Sequence, residues 1–600
     1  MNRREILSRT AAIGAFGIVP LNAFAKSTTI PFRRVRPGDA DWPSDAVWAA
    51  LNTEVGGNLI KVEPLLKPCL GDPKSADCAA FKKDVLNPFY LGDQPAGTQV
   101  TGWLGAWMPA ASIYAIRART AADVAAGINF ARTHRLRLVV KGTGHSYQGT
   151  SNAPDSLLIW TRGMNSVALH DAFVPRGMEG KAAPCPAVTA DAGCMWIDLY
   201  HAVTSDGGRY VQGGGCADVG VAGLIQSGGF GSFSKGFGTA ASHLLEAEIV
   251  TADGVVRTVN AGSEPDLFWA IKGGGGGSWG VITRLTLRTH KLPEKMGSAW
   301  GKMRARSDAA YRILIDRFFN HYAANLFNPH WGEQVTFAPD NSLEISMCCQ
   351  GLDSAAAKAA WASFFDWVKA SPNIEIVEPL GAGVTDARHW WDVAGNDSMT
   401  PDPRPGAPAW HGWWNGDQGQ VSSFLHAYSS LWLPQSLLTA NGRPNLVEAI
   451  YSASRHKHFS LHFNKGLAGA TAEAIAASRD TATNPDVRAA FALAIIADGE
   501  GPVFPTVGRN PDVVKGYEDV QIVKLAVTEL RKAAPSAGSY VSESDYFLAD
   551  WQRSFWGGNY KRLMSVKSKY DPTGLFFVHH GVGTEGWSRD GFEKSEGGKT

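Results

Sequence analysis

The chain has 600 residues, 44% of them apolar and 19% charged, with a formal net charge of +1. That length exceeds one ordinary core and implies two or more domains. The near-neutral charge excludes the electrostatic footprint of a nucleic-acid or acidic-membrane binder, and 66 glycines gathered in short motifs exclude a collagen-like or low-complexity chain.

Residues 1–25 have the layout of an export signal. Arg3-Arg4 precede an Ala- and Gly-rich apolar run from Thr10 to Phe24, which ends in Ala23-Phe24-Ala25, a small-x-small cleavage pattern. The arginine pair resembles a bacterial twin-arginine signal, which implies that export machinery and a periplasmic or secreted protein; a Sec signal with incidental arginines is the alternative. No later segment offers about 18 unbroken apolar residues, so no membrane span is expected.

Residues 26–104 read as loop-rich, with many prolines. Cys69 and Cys78 close a short loop suited to a disulfide in an oxidising compartment. Seven cysteines is an odd number, so at least one is unpaired or otherwise used. Cys185 and Cys194 form a second candidate pair, Cys348 and Cys349 read as buried thiols in a strand, and Cys216 is left over.

Regular structure becomes readable from Trp107. Thr120 and Asp123 form a capping box that opens an amphipathic helix through Val124, Ile128 and Phe130. Arg135–Val140 alternates like a strand, so His145 lies on the loop leaving it. Further strands are expected at Ser156–Trp160, Ala187–Ala192 and Glu246–Thr251, with a helix around Trp196–Thr204. The character changes after Leu292. Residues 293–545 mix helical stretches (Ala355–Lys369, Val513–Lys532) with strands (Leu343–Cys348, His458–Phe463) around a Trp/Pro/Gly-rich loop region, His389 to Gln420. Residues 546–583 return to compact, aromatic-rich sequence.

Glycine motifs carry the chemistry. Gly142-Thr-Gly-His145-Ser146 follows the first strand, Gly213-Gly-Gly-Cys216-Ala-Asp-Val219-Gly220 runs on through Gly223 to Gly228 and Gly231, and Gly273 to Gly277 precede Val281-Ile282. Glycines let backbone N–H groups approach a phosphate or a flat ring. None of these stretches is a P-loop, because no Gly-Lys-Ser/Thr closes it, and the His145 loop lacks the G-x-G-x-x-G dinucleotide spacing.

Taken in order over residues 139–283, and with Gly558-Asn559-Tyr560-Lys-Arg-Leu-Met near the C-terminus, these motifs resemble the vanillyl-alcohol oxidase superfamily, in its berberine-bridge-enzyme-like branch. The resemblance implies an α+β fold with a two-lobed PCMH-type FAD-binding domain over residues 105–292. A substrate domain, an antiparallel sheet backed by helices, would cover 293–545, and 546–600 would return to the first domain. It implies FAD bound covalently through His145, and through Cys216 as a second link. The loop Gly142, Thr143, Gly144, Ser146 would wrap the pyrophosphate. Gly220, Gly223, Gly228 and Gly231 would pass close to the cofactor, Ile282 would lie against its adenosine part, and Asn559 and Tyr560 belong to the closing segment. Val219 matches members that admit O2 to the reduced flavin. One block departs from the family, where Thr-Ala-Ala-Ser242-His243 stands in place of an Asp-containing stretch.

The implied reaction is hydride removal from a C–OH group of an alcohol or sugar, with O2 as acceptor and H2O2 as product. A base must take the hydroxyl proton. Tyr540, in Ser539-Tyr540-Val-Ser542, is the candidate, with a lowered phenol pKa expected; Glu543 and Asp545 are rivals or helpers. His462-Phe-Asn-Lys465 and the tryptophans 390, 391, 410, 413 and 414 are candidates to face the substrate or to pack. His456, His458 and His462 match no metal motif and read as alternating surface histidines. The alternatives are an FAD-dependent dehydrogenase, a C–C bond-forming oxidase and, more remotely, a non-catalytic carbohydrate-binding protein.

Overall fold

A βαβ unit carries the first domain. The computed structural model describes residues 32–594, so the export signal read from residues 1–25 lies outside the described residues. Strands Leu59–Lys61 (β1) and Tyr114–Arg117 (β2) lead to helix Ala121–Thr133 (α1), then to Arg137–Lys141 (β3) and Ser156–Trp160 (β4). Thr120 and Asp123 cap α1 reciprocally, as their spacing predicts. The strand order is β1-β2-β4-β3; β2, β4 and β3 run parallel, and β1 is antiparallel at the edge. All of β4 is buried, which explains its unbroken apolar run.

A second sheet completes this domain. Val167–Phe173 (β5), Cys185–Asp191 (β6), Leu244–Val250 (β7), Val256–Asn260 (β8) and Val281–Arg288 (β9) pair antiparallel in the order β8-β7-β9-β6-β5. The third sheet has seven antiparallel strands. Lys295–Ala305 (β10), Trp331–Phe337 (β11), Ser342–Gln350 (β12), Ile374–Asp386 (β13), Phe424–Pro434 (β14), Phe459–His462 (β15) and Ala490–Glu500 (β16) lie in the order β13-β10-β12-β11-β15-β16-β14. Helices Asp308–His321 (α2), Ser354–Ala370 (α3), Arg443–His456 (α4) and Val513–Ala533 (α5) back this sheet, with Phe318, Phe337, Trp361 and Leu461 in the shared core. No helix among the described residues is long and apolar enough to cross a membrane.

The C-terminal segment packs on the first domain. Phe576 bridges to Leu138 of β3, and Lys567 donates to the carbonyls of Ser278 and Phe576 and to Asp571.

Two expectations change. Residues 32–104 are more helical than their prolines suggest; Asp45–Glu54 buries Trp48 and Leu51, and Ala76–Asp84 buries Cys78 and Phe81. Cys69 and Cys78 are joined, their Cα atoms 4.6 Å apart, because two short helices fold the chain back on itself. Cys185 and Cys194 are not joined. Cys185 opens β6 and Cys194 follows its end, and a strand advances about 3.3 Å per residue, so the strand holds them apart.

Candidate functional site

The loop after β3 lies at the carboxyl end of a parallel strand, where open α/β sheets place ligands. Gly144 takes φ +89°, and a Cβ there would stand 3.1 Å from the Gly97 carbonyl oxygen, so only glycine fits without strain. Trp160 Nε1 holds the Gly142 carbonyl at 3.2 Å, Ser146 Oγ bonds Thr150 Oγ1 at 2.7 Å, and Trp107 Nε1 donates to the Tyr147 carbonyl at 3.0 Å. The loop therefore has a fixed shape, and His145 leaves it toward a large cavity.

That cavity, about 1370 Å³, runs between the two sheets of the first domain and the open face of the seven-stranded sheet. Typical small-molecule pockets are ~300–1,000 Å³. Its wall includes Gly142, Thr143, Gly144, His145, Ser146, Cys216, Val219, Gly220, Gly223, Gly231, Ile282, Tyr540 and Glu543. Residues scattered from 142 to 543 thus share one wall. Three of the residues expected to hold the cofactor do not line it. Gly228, at φ +100°, folds back on Thr483, where a Cβ would stand 3.0 Å from its Oγ1. Asn559 donates to the carbonyls of Ala482 and Thr483, and Tyr560 stacks on Trp556 and donates to Glu585. All three serve internal packing.

His145 Nε2 is bonded to Asp218, whose carboxyl is buried. The backbone around Cys216 is pinned by Trp196 N to Val219 O at 3.0 Å and Ile197 N to Ala217 O at 2.9 Å. The thiol faces Asp417, from the Trp-rich segment. Burial, with Asp417 and Asp218 beside it, pushes the thiol well above its ordinary pKa. Burial and Asp218 push Asp417 up to about 6.

The seven-stranded sheet contributes a polar floor. Lys465 Nζ grips both oxygens of Glu543 at 2.6 Å. Asn464 Nδ2 donates to Glu333 Oε1 at 3.2 Å. Glu333 is in β11 at φ +62°, a left-handed conformation that costs a non-glycine residue about 1–2 kcal/mol. Glu333 and Gln334 both line the cavity although neighbours in a strand normally point to opposite faces. Burial raises the Glu333 carboxyl above its ordinary value.

Tyr540 is buried edge-on against Phe230, with Trp432 also close. Burial and the nearby Glu543 push its phenol up, the reverse of the lowered value expected from the sequence. Asp545 does not line the wall. His462 is another correction: its ring lines the cavity and is not a surface group, and burial with Lys465 lowers its pKa. Trp390, Trp391 and Trp414 reach the cavity, whereas Trp410 stacks on His201 and Trp413 donates to Gln418. Tyr147 and Tyr428 face each other at 5.1 Å on the same wall.

Sequence reasoning missed Asp218, Glu333 and Asp417. Asp218 carried a signal, lying two residues from Cys216. The other two carried none, because they reach the cavity through strand register and a crossing loop. His426, Asp498 and Asp519 come close enough to suggest a metal, but they form an ion-paired network, with Lys457 on Asp498 and Lys515 on Asp519.

Residues 113–260 match the family model of an FAD binding domain, and residues 539–583 match that described as berberine and berberine like. The VAO-type flavoprotein oxidase VAO615 of Thermothelomyces thermophilus is 28% identical over 93% of this chain and 94% of its own. The crystal structure of the VAO-type flavoprotein MtVAO615 from Myceliophthora thermophila superposes with a TM-score of 0.76 at 25% identity, covering 93% of this chain and 98% of that one. The glucooligosaccharide oxidase of Acremonium strictum, whose FAD is 6-S-cysteinyl and 8α-N1-histidyl linked, shares the fold. Its TM-score is 0.64 at 19% identity, with 89% of this chain and 98% of that one covered.

The wall suits a flavin dinucleotide. At Gly223 a Cβ would project into open space, so the glycine leaves room beside the chain. Buried polar atoms on the wall lack hydrogen-bond partners among the described residues: Gln148 Oε1, Gln226 Oε1, His462 Nδ1, Asn464 Oδ1, His580 Nδ1 and the Tyr540 hydroxyl. Buried polar atoms are normally satisfied, so these await a ligand or ordered water.

Proposed function

Because the chain belongs to the vanillyl-alcohol-oxidase-type, berberine-bridge-like FAD-linked oxidoreductases, we propose that it is an oxidase of a C–OH group in a sugar, oligosaccharide or alcohol. FAD, tethered through His145 and Cys216, would accept hydride and pass electrons to O2, giving H2O2. The observation that carries this reading is the meeting of His145 and Cys216 on one cavity wall with a floor of acid–base groups.

The chain's own groups divide the work. The loop 142–146 holds the cofactor with backbone N–H groups. Glu333 takes the substrate's hydroxyl proton; it is a buried carboxyl turned into the cavity, and no lysine or arginine among the described residues is bonded to it. Tyr540, with its raised phenol, stays protonated and donates to the substrate oxygen. Lys465 and Glu543 neutralise each other, leaving that part of the wall without net charge. Trp390 and Trp414 line the cavity and would supply aromatic surface to a sugar ring. The buried Cys69–Cys78 disulfide supports export to an oxidising compartment through the signal at residues 1–25.

The test is a panel of mono- and oligosaccharides and primary and secondary alcohols, assayed for H2O2 under air and for quinone reduction without it. Acid-precipitated protein is examined alongside for retained flavin. Peroxide from one class and yellow precipitate support the reading. Colourless folded protein expressed with ample FAD would sink it, and electron transfer to quinone alone would make the chain a dehydrogenase.

A further inference from the structure

The wall presents two nucleophiles, and each faces its own carboxylate. His145 donates from Nε2 to Asp218, while the Cys216 thiol faces Asp417. The first carboxylate belongs to the same domain as its partner. The second crosses from the segment between β13 and β14, so the two domains meet at this pair. Asp417 Oδ2 is buried without a hydrogen-bond partner among the described residues, and Asp417 lines the cavity. Nearby cations are committed elsewhere: Lys465 to Glu543, and Lys141 to the carbonyls of Gln94, Pro95 and Gly97.

We propose that Asp218 and Asp417 are the bases that let His145 and Cys216 bond to FAD, one carboxylate for each link. The inference rests on the flavin reading above. The hydrogen bond to Asp218 keeps the proton on Nε2 and leaves the Nδ1 lone pair free as the nucleophile. Joining His145 to the 8α-methyl breaks one methyl C–H bond and the Nε2–H bond and forms one C–N bond, with the Nε2 proton passing to Asp218. Joining Cys216 to ring carbon 6 breaks one C–H and one S–H bond and forms one C–S bond, with the thiol proton passing to Asp417. Each joining releases two electrons and two protons. Dioxygen takes them as H2O2, so complete tethering consumes two O2 per chain.

The protonation states agree. Asp417, held up to about 6 by burial and Asp218, is matched to work near neutral pH. The thiol, pushed up by burial and by both carboxylates, does not ionise unaided, and the thiolate is the reactive form.

The experiment is peptide mass spectrometry after acid denaturation of full-length wild type, D417N, D417E and D218N, all expressed with FAD. Wild type should carry flavin on both residues. D417N should keep the His145 link and lose the Cys216 link by roughly tenfold or more, and D218N should show the reverse. D417E should restore the Cys216 link. Holding D417N at pH 10 under air should recover it too, with one H2O2 per link, because hydroxide replaces the missing base; a merely structural role for Asp417 would not show that rescue. D417S serves if D417N does not fold. Wild type with both links beside D417N and D218N that each keep both links overturns this inference alone. Wild type with no link on either residue overturns the flavin reading and this inference together, and a link on His145 alone overturns the Asp417 half.

Discussion

Glu333 faces Met347 across β11 and β12, and the two side chains leave the sheet on opposite sides. Met347 is fully buried in the core under α2 and α3, while Glu333 lines the cavity. A regular strand would send both to the core. The left-handed φ of Glu333 turns the carboxyl round, and local strain of this kind gathers at functional sites. Replacing Glu333 with glycine should stabilise the fold by about 1 kcal/mol, since glycine accepts that conformation freely. Glu333→Gln should lower flavin reduction by the best substrate of the panel by ~10²–10⁴-fold. Thermal unfolding and stopped-flow reduction check the two; an E333Q variant with wild-type reduction rate would remove Glu333 from the chemistry.

The Lys465–Glu543 pair is largely shielded, with side chains 14% and 19% exposed. Removing one partner from such a pair leaves a poorly hydrated charge. Lys465→Met should therefore cost about 2 kcal/mol, less than for a fully buried pair because some water remains. Lys465→Met with Glu543→Leu should recover most of that loss. Urea unfolding of the four chains measures the coupling, and additive losses would refute it.

Asp417 makes stability depend on pH. Its carboxyl is raised to about 6 from an ordinary 3.8. Between those values the folded chain keeps a proton that the unfolded chain has released, so this group's contribution to stability falls as pH rises. The full loss is about 3 kcal/mol, reached above pH 6. D417N should match wild type near pH 3.5 and exceed it at pH 7.5. Apoprotein melting curves at the two values decide, and an unchanged difference would contradict the burial argument.

Gly144→Ala should impair cofactor loading. Alanine would have to hold φ +89° with its Cβ 3.1 Å from the Gly97 oxygen. The strain amounts to about 1–2 kcal/mol and falls on the loop that carries His145. Flavin per chain, read from the visible spectrum, should drop well below wild type while the rest of the molecule stays folded. Full loading would show that the loop has slack.

Much of the first domain was legible because its signals are local. A capping box, an apolar strand and glycine spacing define α1, β3 and the His145 loop without reference to distant residues. The disulfide between Cys69 and Cys78 was legible for the same reason. Cys185 and Cys194 have the same separation, but the strand between them was what mattered. Asp417 and Glu333 could not be found that way. One reaches Cys216 only after the chain has crossed between domains, and the other faces the cavity only through a reversed backbone angle. His462 looked like one of several scattered surface histidines until β15 took its place beside β11 and β16.

The cavity wall runs from Leu138 to Gly581 and takes pieces from nearly every part of the chain between. It therefore cannot be completed before residue 581 has been made. While the C-terminal segment is still inside the ribosome, Phe576 cannot reach Leu138 and the pocket lacks a side. A nascent chain or a C-terminal truncation should be colourless however well its first sheets form. The yellow colour would then report that the chain has been made at least as far as Gly581 and has closed around the pocket.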